Sequence, residues 1–405
     1  MSERGGPQRE PGATTALRPE ERGPDRQQER EQRERGGPQR EPGATTALRP
    51  EAAANGPASG RGRAGGGVPP ARTASAMRSG RTQPSEDISV VVLAGGLDLE
   101  RDVSLRSGRR VSDALRMTRV QARLLDADGA LLARLVDDRP DAVFVALHGK
   151  AGEDGALRTV LELLDVPYVG TSATACRVAW DKPSAKAAVR AAGLATPDWV
   201  ALPHSTFREL GAVAVLDRIV ARLGAPLMVK PAQGGSALGA QQIQDADELP
   251  AAMVSCFSYG ETVLIEPFVA GVEVAVTVVD VGSGPQALPA VEIVPFSGVF
   301  DYASRYTAGM TTYHTPARLP AAAAAEVAEV AVRAHTVLGL RDLSRTDAIV
   351  TPDGAIEFLE VNVAPGMTET SLLPMAVEAA GLDLGEVCLT MLRRAAARRR
   401  ATTLD

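Results

Sequence analysis

The side chains best suited to chemistry lie between residues 344 and 374, where two carboxylates, an amide and a guanidinium surround a tight turn. Asp353-Gly354 lies between two β-rich runs, and this dipeptide favours a two-residue type I′ hairpin. In that register Asp347 faces Glu360, with Cβ atoms ~5 Å apart. Two facing carboxylates repel unless a cation lies between them, and oxygen ligands of this kind suit Mg²⁺ beside a phosphate. The hairpin therefore predicts a metal site.

The same register places Arg345 opposite Asn362, on the face that carries the two carboxylates. A type I turn with a bulge over residues 352–354 is the alternative, and it would break this parity. An acidic hairpin that simply faces water is the commoner arrangement. Function is favoured by the turn at Gly366 and the helix start near Ser371, because free backbone amides there can hold an anion.

Composition argues against several classes of function. Residues 1–85 carry 15 arginines against 10 acidic residues, so the rest of a chain with net charge −6 is acidic and gives no support for nucleic-acid binding. No apolar run reaches ~18 residues, so no membrane span is expected. The three scattered cysteines argue against a disulfide framework or a zinc site and suit a reducing cytosol.

The first 85 residues contain no aromatic side chain and cannot bury a core. Within them the polar segment Glu3–Glu20 recurs identically at Glu34–Glu51. Because a repeat without an apolar face cannot stack as a solenoid, this duplication does not indicate a repeat architecture. We predict a disordered N-terminal tail.

An open parallel sheet is predicted after the tail. The run Ile88–Leu93 predicts a buried strand, and the glycine turn and helix that follow it resemble the opening of a βαβ unit. Glu100 lies between that turn and the helix, and His148 follows the next strand, residues 141–147. Both residues should therefore lie at the carboxyl edge of the sheet, where α/β proteins bind ligands. A single histidine is nevertheless more often structural.

Lysine is rare in this sequence, with four lysines against 40 arginines. Lys230 ends a predicted strand and precedes a glycine-rich loop, residues 232–239, that contains Ser236. Such a loop can cover phosphates with its amides while the lysine supplies a point charge. The spacing does not match a P-loop, so we expect the loop to join two strands as a flexible phosphate cover.

Two further features have open interpretations. Glu266 and Glu273 lie in apolar strands, where an acid can bind ribose hydroxyls or serve as an edge-strand charge. Residues 296–318 show no regular period and hold three of the five tyrosines. A long aromatic loop inside a compact domain is more typical of a lid than of a connector.

Seven motifs occur in one order along the chain: AGGLDLERDVSLRSG, ALHGKAGEDG, WDKPSAK, MVKPAQGGSALG, FDYASRY, SRTD and FLEVNVAPGMTETSLLP. On these motifs the chain from about Ile88 to Ala397 resembles the ATP-grasp ligases, and within them the D-alanine:D-alanine ligases. The resemblance implies an α/β, three-domain ATP-grasp fold whose N-terminal domain holds an open parallel sheet. The implied divisions are a disordered tail (1–85), a substrate-binding α/β domain (86–180), a central ATP-grasp subdomain (181–270) and a C-terminal subdomain with lid and metal site (271–405).

The resemblance implies a role for each matching residue. The catalytic group comprises Glu100, Ser236, Tyr306, Arg345 and Gly366: the first takes the ammonium of the first D-alanine, the next two couple the glycine loop and the lid to it, and the last two stabilise the oxyanion. His148 lies near the first D-alanine, while Ser371 and Leu372 meet the carboxylate of the second. ATP is bound by Lys182 and Lys230 at its phosphates, by Glu266 on the adenine side and by Glu273 at the ribose. Two Mg²⁺ or Mn²⁺ ions are held by Asp347, Glu360 and Asn362.

The reaction implied joins two D-alanines through an acyl phosphate, with ATP as co-substrate, in a cytoplasmic homodimer that supplies peptidoglycan precursors. One alternative is a related ATP-grasp ligase with D-lactate, D-serine or another amino acid as second substrate. A silent ATP-binding paralogue is another, but it predicts damage at the metal or phosphate positions, and none is found. Four residues depart from the family pattern without removing this constellation: Ala237, Pro267, Phe300 and Arg305.

Overall fold

A computed structural model describes residues 88–307 and 309–402. The predicted tail and its duplication lie outside these described residues. Within the described part, no helix combines the length and the apolar character that a membrane crossing requires.

The first sheet is open and wholly parallel, with strand order β2-β1-β3-β4. Its central strands are buried along their whole length, as expected for a parallel sheet covered on both faces. The predicted parallel-sheet domain is confirmed. Its strands are β1 (Val90–Ala94), β2 (Ala122–Asp126), β3 (Ala142–Val145) and β4 (Tyr168–Val169), and the helices of this region are α1 (Arg101–Met117), α2 (Leu131–Asp137), α3 (Lys150–Glu153), α4 (Ala156–Leu163) and α5 (Ala173–Trp180).

The second sheet is antiparallel, with order β5-β8-β6-β7. The glycine-rich loop joins β6 to β7, two neighbouring antiparallel strands, as the sequence predicts. Lys182 opens α6 after Asp181, whose side chain accepts the N–H of Ser184 and so caps the helix. This part contains β5 (Val200–Pro203), β6 (Leu227–Pro231), β7 (Gln241–Ile243) and β8 (Thr262–Pro267), with α6 (Lys182–Ala191), α7 (His204–Leu210), α8 (Ala212–Leu223) and α9 (Leu249–Phe257).

The third sheet has six strands, with order β12-β11-β9-β13-β14 and β10 beside β9. The predicted lid is not wholly irregular, because it contains one short helix and the edge strand of this sheet. The elements are β9 (Val272–Val279), β10 (Gln286–Ala287), β11 (Val291–Pro295), β12 (Thr311–His314), β13 (Leu343–Val350) and β14 (Ile356–Asn362), with α10 (Tyr302–Tyr306), α11 (Ala321–Val337), α12 (Leu372–Ala379) and α13 (Leu384–Thr402).

Strands β13 and β14 form the hairpin that carries the candidate metal ligands. The register pairs Asp347 with Glu360, as expected, and likewise pairs Arg345 with Asn362. The predicted two-residue turn is wrong. Gly354, at φ +91°, donates its N–H to the carbonyl three residues earlier, as in the bulged alternative. The register also shifts just beyond Asp347. The two irregularities offset each other, and the expected facing pairs survive.

The C-terminal helix α13 returns to the first sheet and packs against α1 and β3. Cys388 and Leu392 are fully buried in the same apolar cluster as Val90 and Phe144. A residue pattern read locally cannot reveal this contact, because the helix and the sheet are separated by most of the chain. The division into residues 86–180, 181–270 and 271–405 stays a prediction.

His335 on α11 is buried, and one of its ring nitrogens, Nδ1, lies 2.8 Å from the Ser344 hydroxyl. Burial lowers its pKa from 6.5 to about 4, against the opposing charges of Asp280 and Asp342. Between those pH values the unfolded chain binds a proton that the folded chain rejects, so stability should fall as pH drops from 7 to 5. We expect His335→Asn to reduce that fall by on the order of 1 kcal/mol. Denaturant unfolding at both pH values measures it.

The exposed His204 provides the control for this prediction. His204→Asn should leave the pH dependence of the free energy of unfolding as it is in the wild type. An equal response in both variants, or none in His335→Asn, would contradict the assignment to His335.

Candidate functional site

A cleft between the second and third sheets gathers the residues predicted to bind ATP. Its walls come from β6, β8, β9, β11, β13 and β14 together with the glycine-rich loop. The second sheet contributes Lys230 and Glu266, the third sheet contributes acids, and α6 adds Lys182, so the cleft is lined by charge of both signs. The predicted residues on its wall are Lys182, Lys230, Glu266, Glu273, Asp347 and Glu360.

The two predicted phosphate lysines face this cleft from different elements. Lys182 donates a hydrogen bond of 2.7 Å to the Gly234 carbonyl and lies 3.4 Å from Glu360 Oε2. Lys230 lies 2.5 Å from Glu266 Oε1. Lys182 thus connects the glycine-rich loop to the hairpin, and the two ammonium groups place positive charge where phosphates would enter.

Glu266 and Glu273 differ in their surroundings. The carboxylate of Glu266 is buried against lysines, and despite burial these charges lower its pKa. Burial raises the pKa of Glu273 to about 7, because Arg305 offsets little of the cost. Their predicted adenine and ribose roles are not tested by these contacts. The side chain of Glu266 is engaged by ammonium groups, which gives it a second task.

The predicted metal ligands lie together on the hairpin. Arg345 donates to both carboxylate oxygens of Asp347, at 2.7 and 2.8 Å. Burial would raise the pKa of Glu360, but Lys182 and other cations outweigh it and lower the pKa to about 2. The side-chain oxygen of Asn362 accepts the Ala364 N–H at 2.8 Å. Glu360 is therefore held as a carboxylate.

These donors fit a hard divalent cation. Two facing carboxylates and an amide oxygen offer the oxygen-only set that Mg²⁺ prefers, beside a place for substrate phosphates. No group of three or more His, Cys, Asp or Glu side chains able to hold a metal occurs in residues 88–307 and 309–402. The fit therefore depends on Asp347, Glu360 and Asn362 with oxygens supplied by the substrate.

A second cavity collects the residues predicted for the amino-acid substrates. It adjoins the nucleotide cleft, and Phe300 and Arg305 line both. It is bounded by the carboxyl edge of the first sheet, the hairpin and the start of α12. The predicted residues on its wall are Glu100, His148, Ser236, Arg345, Gly366, Ser371 and Leu372.

Glu100 and Ser236 meet across this cavity, since the Ser236 hydroxyl donates to Glu100 Oε1. Ser236 and Ala237 both have positive φ, +53° and +54°, an uncommon conformation for residues with side chains. The predicted link between the glycine-rich loop and Glu100 is therefore present. The third predicted partner is Tyr306, and its side chain lies outside the described part of the chain. Its coupling to Glu100 therefore stays a prediction.

Ser236→Ala should weaken binding of the first amino acid, because it removes a hydrogen bond to a charged group. Such a bond contributes about 1.5–3 kcal/mol, so KM for the D-alanine that the resemblance implies should rise by about tenfold or more, and KM for the implied ATP should change less. Initial rates at varied concentrations of each of these two compounds separate the effects. Ser258→Ala, on the turn after α9, is the control and should leave both KM values unchanged. Equal KM values for Ser236→Ala and the wild type would contradict the link.

His148 is held in one orientation by two contacts. Its Nδ1 lies 2.9 Å from the Ala364 carbonyl and its Nε2 lies 2.8 Å from the Ser107 hydroxyl. Burial, with a smaller contribution from nearby Arg345, lowers its pKa to about 4 against the opposing effect of the contact with the Ala364 carbonyl. The imidazole is therefore neutral near pH 7. Ser107 Oγ also accepts the Met367 N–H at 3.1 Å, so His148 and Ser107 fix the loop after β14 to α1.

The sequence predicts a turn at Gly366, but the turn in the loop before α12 lies at residues 369–370. A Cβ at Gly366 would lie 2.6 Å from Ser371 Oγ, so a side chain there would displace the Ser371 hydroxyl. Ser371 Oγ accepts the Thr368 N–H at 2.9 Å and fixes the start of α12. The first-turn amides of that helix, beginning near Leu372, have no partners within the helix and suit a carboxylate.

Sequence reasoning assigned no role to Glu153, although it lines the second cavity. It is buried and accepts the Gly149 N–H at 3.1 Å. Burial and the neighbouring Glu100 raise its pKa to about 8. The signal available was its position in the motif ALHGKAGEDG, which directly follows β3 and also contains His148.

Two departures from the family pattern contact each other. The guanidinium of Arg305 stacks 4.2 Å from the Phe300 ring centre, and Phe300 meets Tyr313 edge-on at 6.2 Å. A planar guanidinium stacks on an aromatic face more readily than an ammonium does. Arginine and phenylalanine therefore act as a pair on the wall shared by the two cavities.

Comparison with known proteins gives concordant matches. The family described as D-ala D-ala ligase N-terminus matches residues 129–171, and D-ala D-ala ligase C-terminus matches residues 188–393. The D-alanine–D-alanine ligase of Anaeromyxobacter sp. (strain Fw109-5) is 42% identical over 307 residues, which are 76% of this chain and 96% of that relative.

Solved structures show the same likeness. The D-alanine–D-alanine ligase from Bacillus anthracis complexed with ATP has a TM-score of 0.62 and 28% identity, over 78% of this chain and 99% of that chain. The VanG D-Ala:D-Ser ligase from Enterococcus faecalis has a TM-score of 0.65 and 27% identity, over 76% of this chain and 100% of that chain. Both likenesses span nearly all of the described residues.

Proposed function

The chain belongs to the D-alanine–D-alanine ligase family, and on this premise we propose that it joins two D-alanines into D-alanyl-D-alanine while ATP becomes ADP and phosphate. The observation that carries the proposal is the shared wall of two cavities. Lysines and hairpin carboxylates line the nucleotide cleft, while Glu100 and the start of α12 line the adjoining one. A phosphoryl group and an amino-acid carboxylate can therefore meet between them.

In the first step, an oxygen of the first D-alanine carboxylate attacks the γ-phosphorus of ATP, and the bond to ADP breaks. Glu100 pairs with the ammonium of this D-alanine and directs its carboxylate toward the cleft. Lys182 and Lys230 offset charge on the phosphoryl oxygens. Mg²⁺ or Mn²⁺, two ions held by Asp347, Glu360 and Asn362, would neutralise further phosphoryl charge when bound.

In the second step, the ammonium of the second D-alanine loses a proton to solvent, and the resulting amine attacks the acyl phosphate carbon. The nitrogen gives its next proton to the departing phosphate. The tetrahedral oxyanion is stabilised by the guanidinium of Arg345 and the amide of Gly366. The amides near Ser371 and Leu372 hold the second carboxylate. Phosphate then leaves as the carbon–oxygen bond breaks. The lid, including Tyr306, excludes water from the acyl phosphate.

The test is product analysis with the purified chain, Mg²⁺-ATP and D-alanine alone, then D-alanine with D-serine, with D-lactate or with L-alanine. We expect ADP, phosphate and the mass of D-alanyl-D-alanine from D-alanine alone. A product that appears only with D-serine would group the chain with the D-Ala:D-Ser ligase VanG. A product that appears only with D-lactate would support a ligase with that second substrate. Absence of Mg²⁺-dependent ATP binding would support a silent paralogue instead.

We further propose that the reaction supplies peptidoglycan precursors in the cytoplasm, where ATP is available, and that the chain acts as a homodimer. The free thiols of Cys176, Cys256 and Cys388 suit that compartment. Sedimentation equilibrium of the purified chain tests the dimer: a single species of the monomer mass at micromolar concentration would contradict it.

A further inference from the structure

Lys186 is fully buried and has no place in the reaction just described. It lies one helical turn after Lys182 on α6, but it points to the interior instead of to the glycine-rich loop. Its Nζ lies 2.9 Å from Glu266 Oε2. The angles of this contact do not meet hydrogen-bond geometry, so the contact is primarily an ion pair. An ammonium without solvent is costly, and its presence here requires a reason.

Glu266 is shared between two lysines. Its Oε1 lies 2.5 Å from Lys230 Nζ, while Lys186 approaches the other oxygen, and Glu266 itself is 2% exposed. With Lys230 alone, the pair would carry no net charge toward the cleft. With Lys186 added, the cluster carries one net positive charge. The lysine behind Glu266 thereby restores the charge that Glu266 would cancel.

Other charged groups near Lys186 do not replace this partner. Burial lowers its pKa from 10.5 to about 8; Glu266 opposes this, while Lys230 and then Arg190 add to it. Glu357 on β14 also senses the charge of Lys186, which lowers the pKa of that carboxyl against the larger effect of burial. The ring of Trp199 lies 5.3 Å from Lys186 Nζ. Glu266 is the one carboxylate among these groups in ion-pair contact with Lys186.

We propose that Lys186 is a positioning residue for ATP: it holds the second oxygen of Glu266, so that the ammonium of Lys230 faces the phosphates with an uncancelled positive charge. This inference rests on the proposed function, in which Lys230 binds the phosphates. It gives the side chain of Glu266 a task other than adenine recognition.

The test is the affinity of the full chain for Mg²⁺-adenylyl imidodiphosphate, measured by calorimetry between pH 7 and 9 at saturating Mg²⁺. Lys186→Met should weaken binding by about tenfold at pH 7, the scale of supporting groups around a charged site. Wild-type affinity should fall as pH passes 8, where Lys186 loses its proton. Lys186→Arg should keep its affinity up to pH 9, because the guanidinium stays charged.

Arg190→Met provides a matched loss of charge one turn further along α6, and it should bind the analogue as the wild type does. A purely structural role for Lys186 predicts lower thermal stability without a change in affinity or in its pH profile. The proposal would be overturned if Lys186→Met bound the analogue with wild-type affinity at pH 7. It would also be overturned if the wild type and Lys186→Arg lost affinity for the analogue in parallel above pH 8. If Lys186→Met does not fold, the comparison of the wild type with Lys186→Arg above pH 8 decides.

Lys230→Met separates this inference from the proposed function. If Lys230→Met weakens analogue binding and Lys186→Met does not, the inference on Lys186 alone is overturned. If neither weakens binding, the assignment of Lys230 to the phosphates falls as well, and the inference with it. Dipeptide formation from D-alanine, measured separately, then decides whether the ligase function itself stands.

Discussion

Glu360→Gln is expected to lower the rate of dipeptide formation by about 10³-fold, because it removes a charged oxygen from the proposed metal site beside the transferred phosphoryl group. The variant keeps the size of the side chain, so packing of β14 should persist. Its Mg²⁺ dependence should also shift to higher concentration. ADP release and dipeptide mass, followed over a titration of Mg²⁺, measure both effects.

Glu357→Gln is the matched control, since Glu357 lies on the same strand three residues earlier and does not line the cavities described above. It should retain the wild-type rate and Mg²⁺ dependence. Should Glu360→Gln turn over at the wild-type rate with unchanged Mg²⁺ dependence, the metal assignment on the hairpin would be wrong. Circular dichroism of both variants establishes that the comparison is between folded proteins.

Arg345→Lys is expected to lower kcat by about 10²-fold with little change in KM for ATP, because an ammonium cannot reproduce a bidentate fork. Arg345 donates two hydrogen bonds to Asp347 and lines the amino-acid cavity. It therefore orients a candidate metal ligand and lines the cavity in which we propose that the oxyanion develops. Single-turnover measurement of dipeptide formation isolates the chemical step from product release.

Arg345→Met serves as the second variant, because it removes the charge as well. It should lose more activity than Arg345→Lys. Equal rates in both variants would indicate that the charge contributes nothing, and unchanged kcat in Arg345→Lys would contradict the oxyanion role. Arg333→Lys, on the exposed face of α11, controls for a general response to arginine replacement.

Much of the site follows from local order in the sequence. That Asp347 faces Glu360 could be predicted from strand alternation in a hairpin. The glycine-rich loop after Lys230 could likewise be placed between two strands. The turn between the hairpin strands could not be fixed, because Asp-Gly with a preceding proline fits two turn types of similar energy. Only pairing against β9 and the shift beyond Asp347 selected one register.

The role of Lys186 illustrates what local patterns leave undecided. In the sequence it follows Lys182 by four residues, which places both on one side of a helix. Nothing local says that Lys182 reaches the glycine-rich loop while Lys186 is enclosed beside Glu266. That outcome depends on β8 bringing Glu266 beside the helix, a contact between distant segments.

The sequence by itself determined the order of strands and helices, the residues at their ends and the motif set, since these depend on side-chain periodicity and turn chemistry within a few residues. The tertiary structure alone decided which charges meet: Glu266 between two lysines, and Glu153 beside Glu100. It also returned α13 to the first sheet. The physical reason is that burial and charge pairing depend on distances between remote segments, which only the packed chain defines.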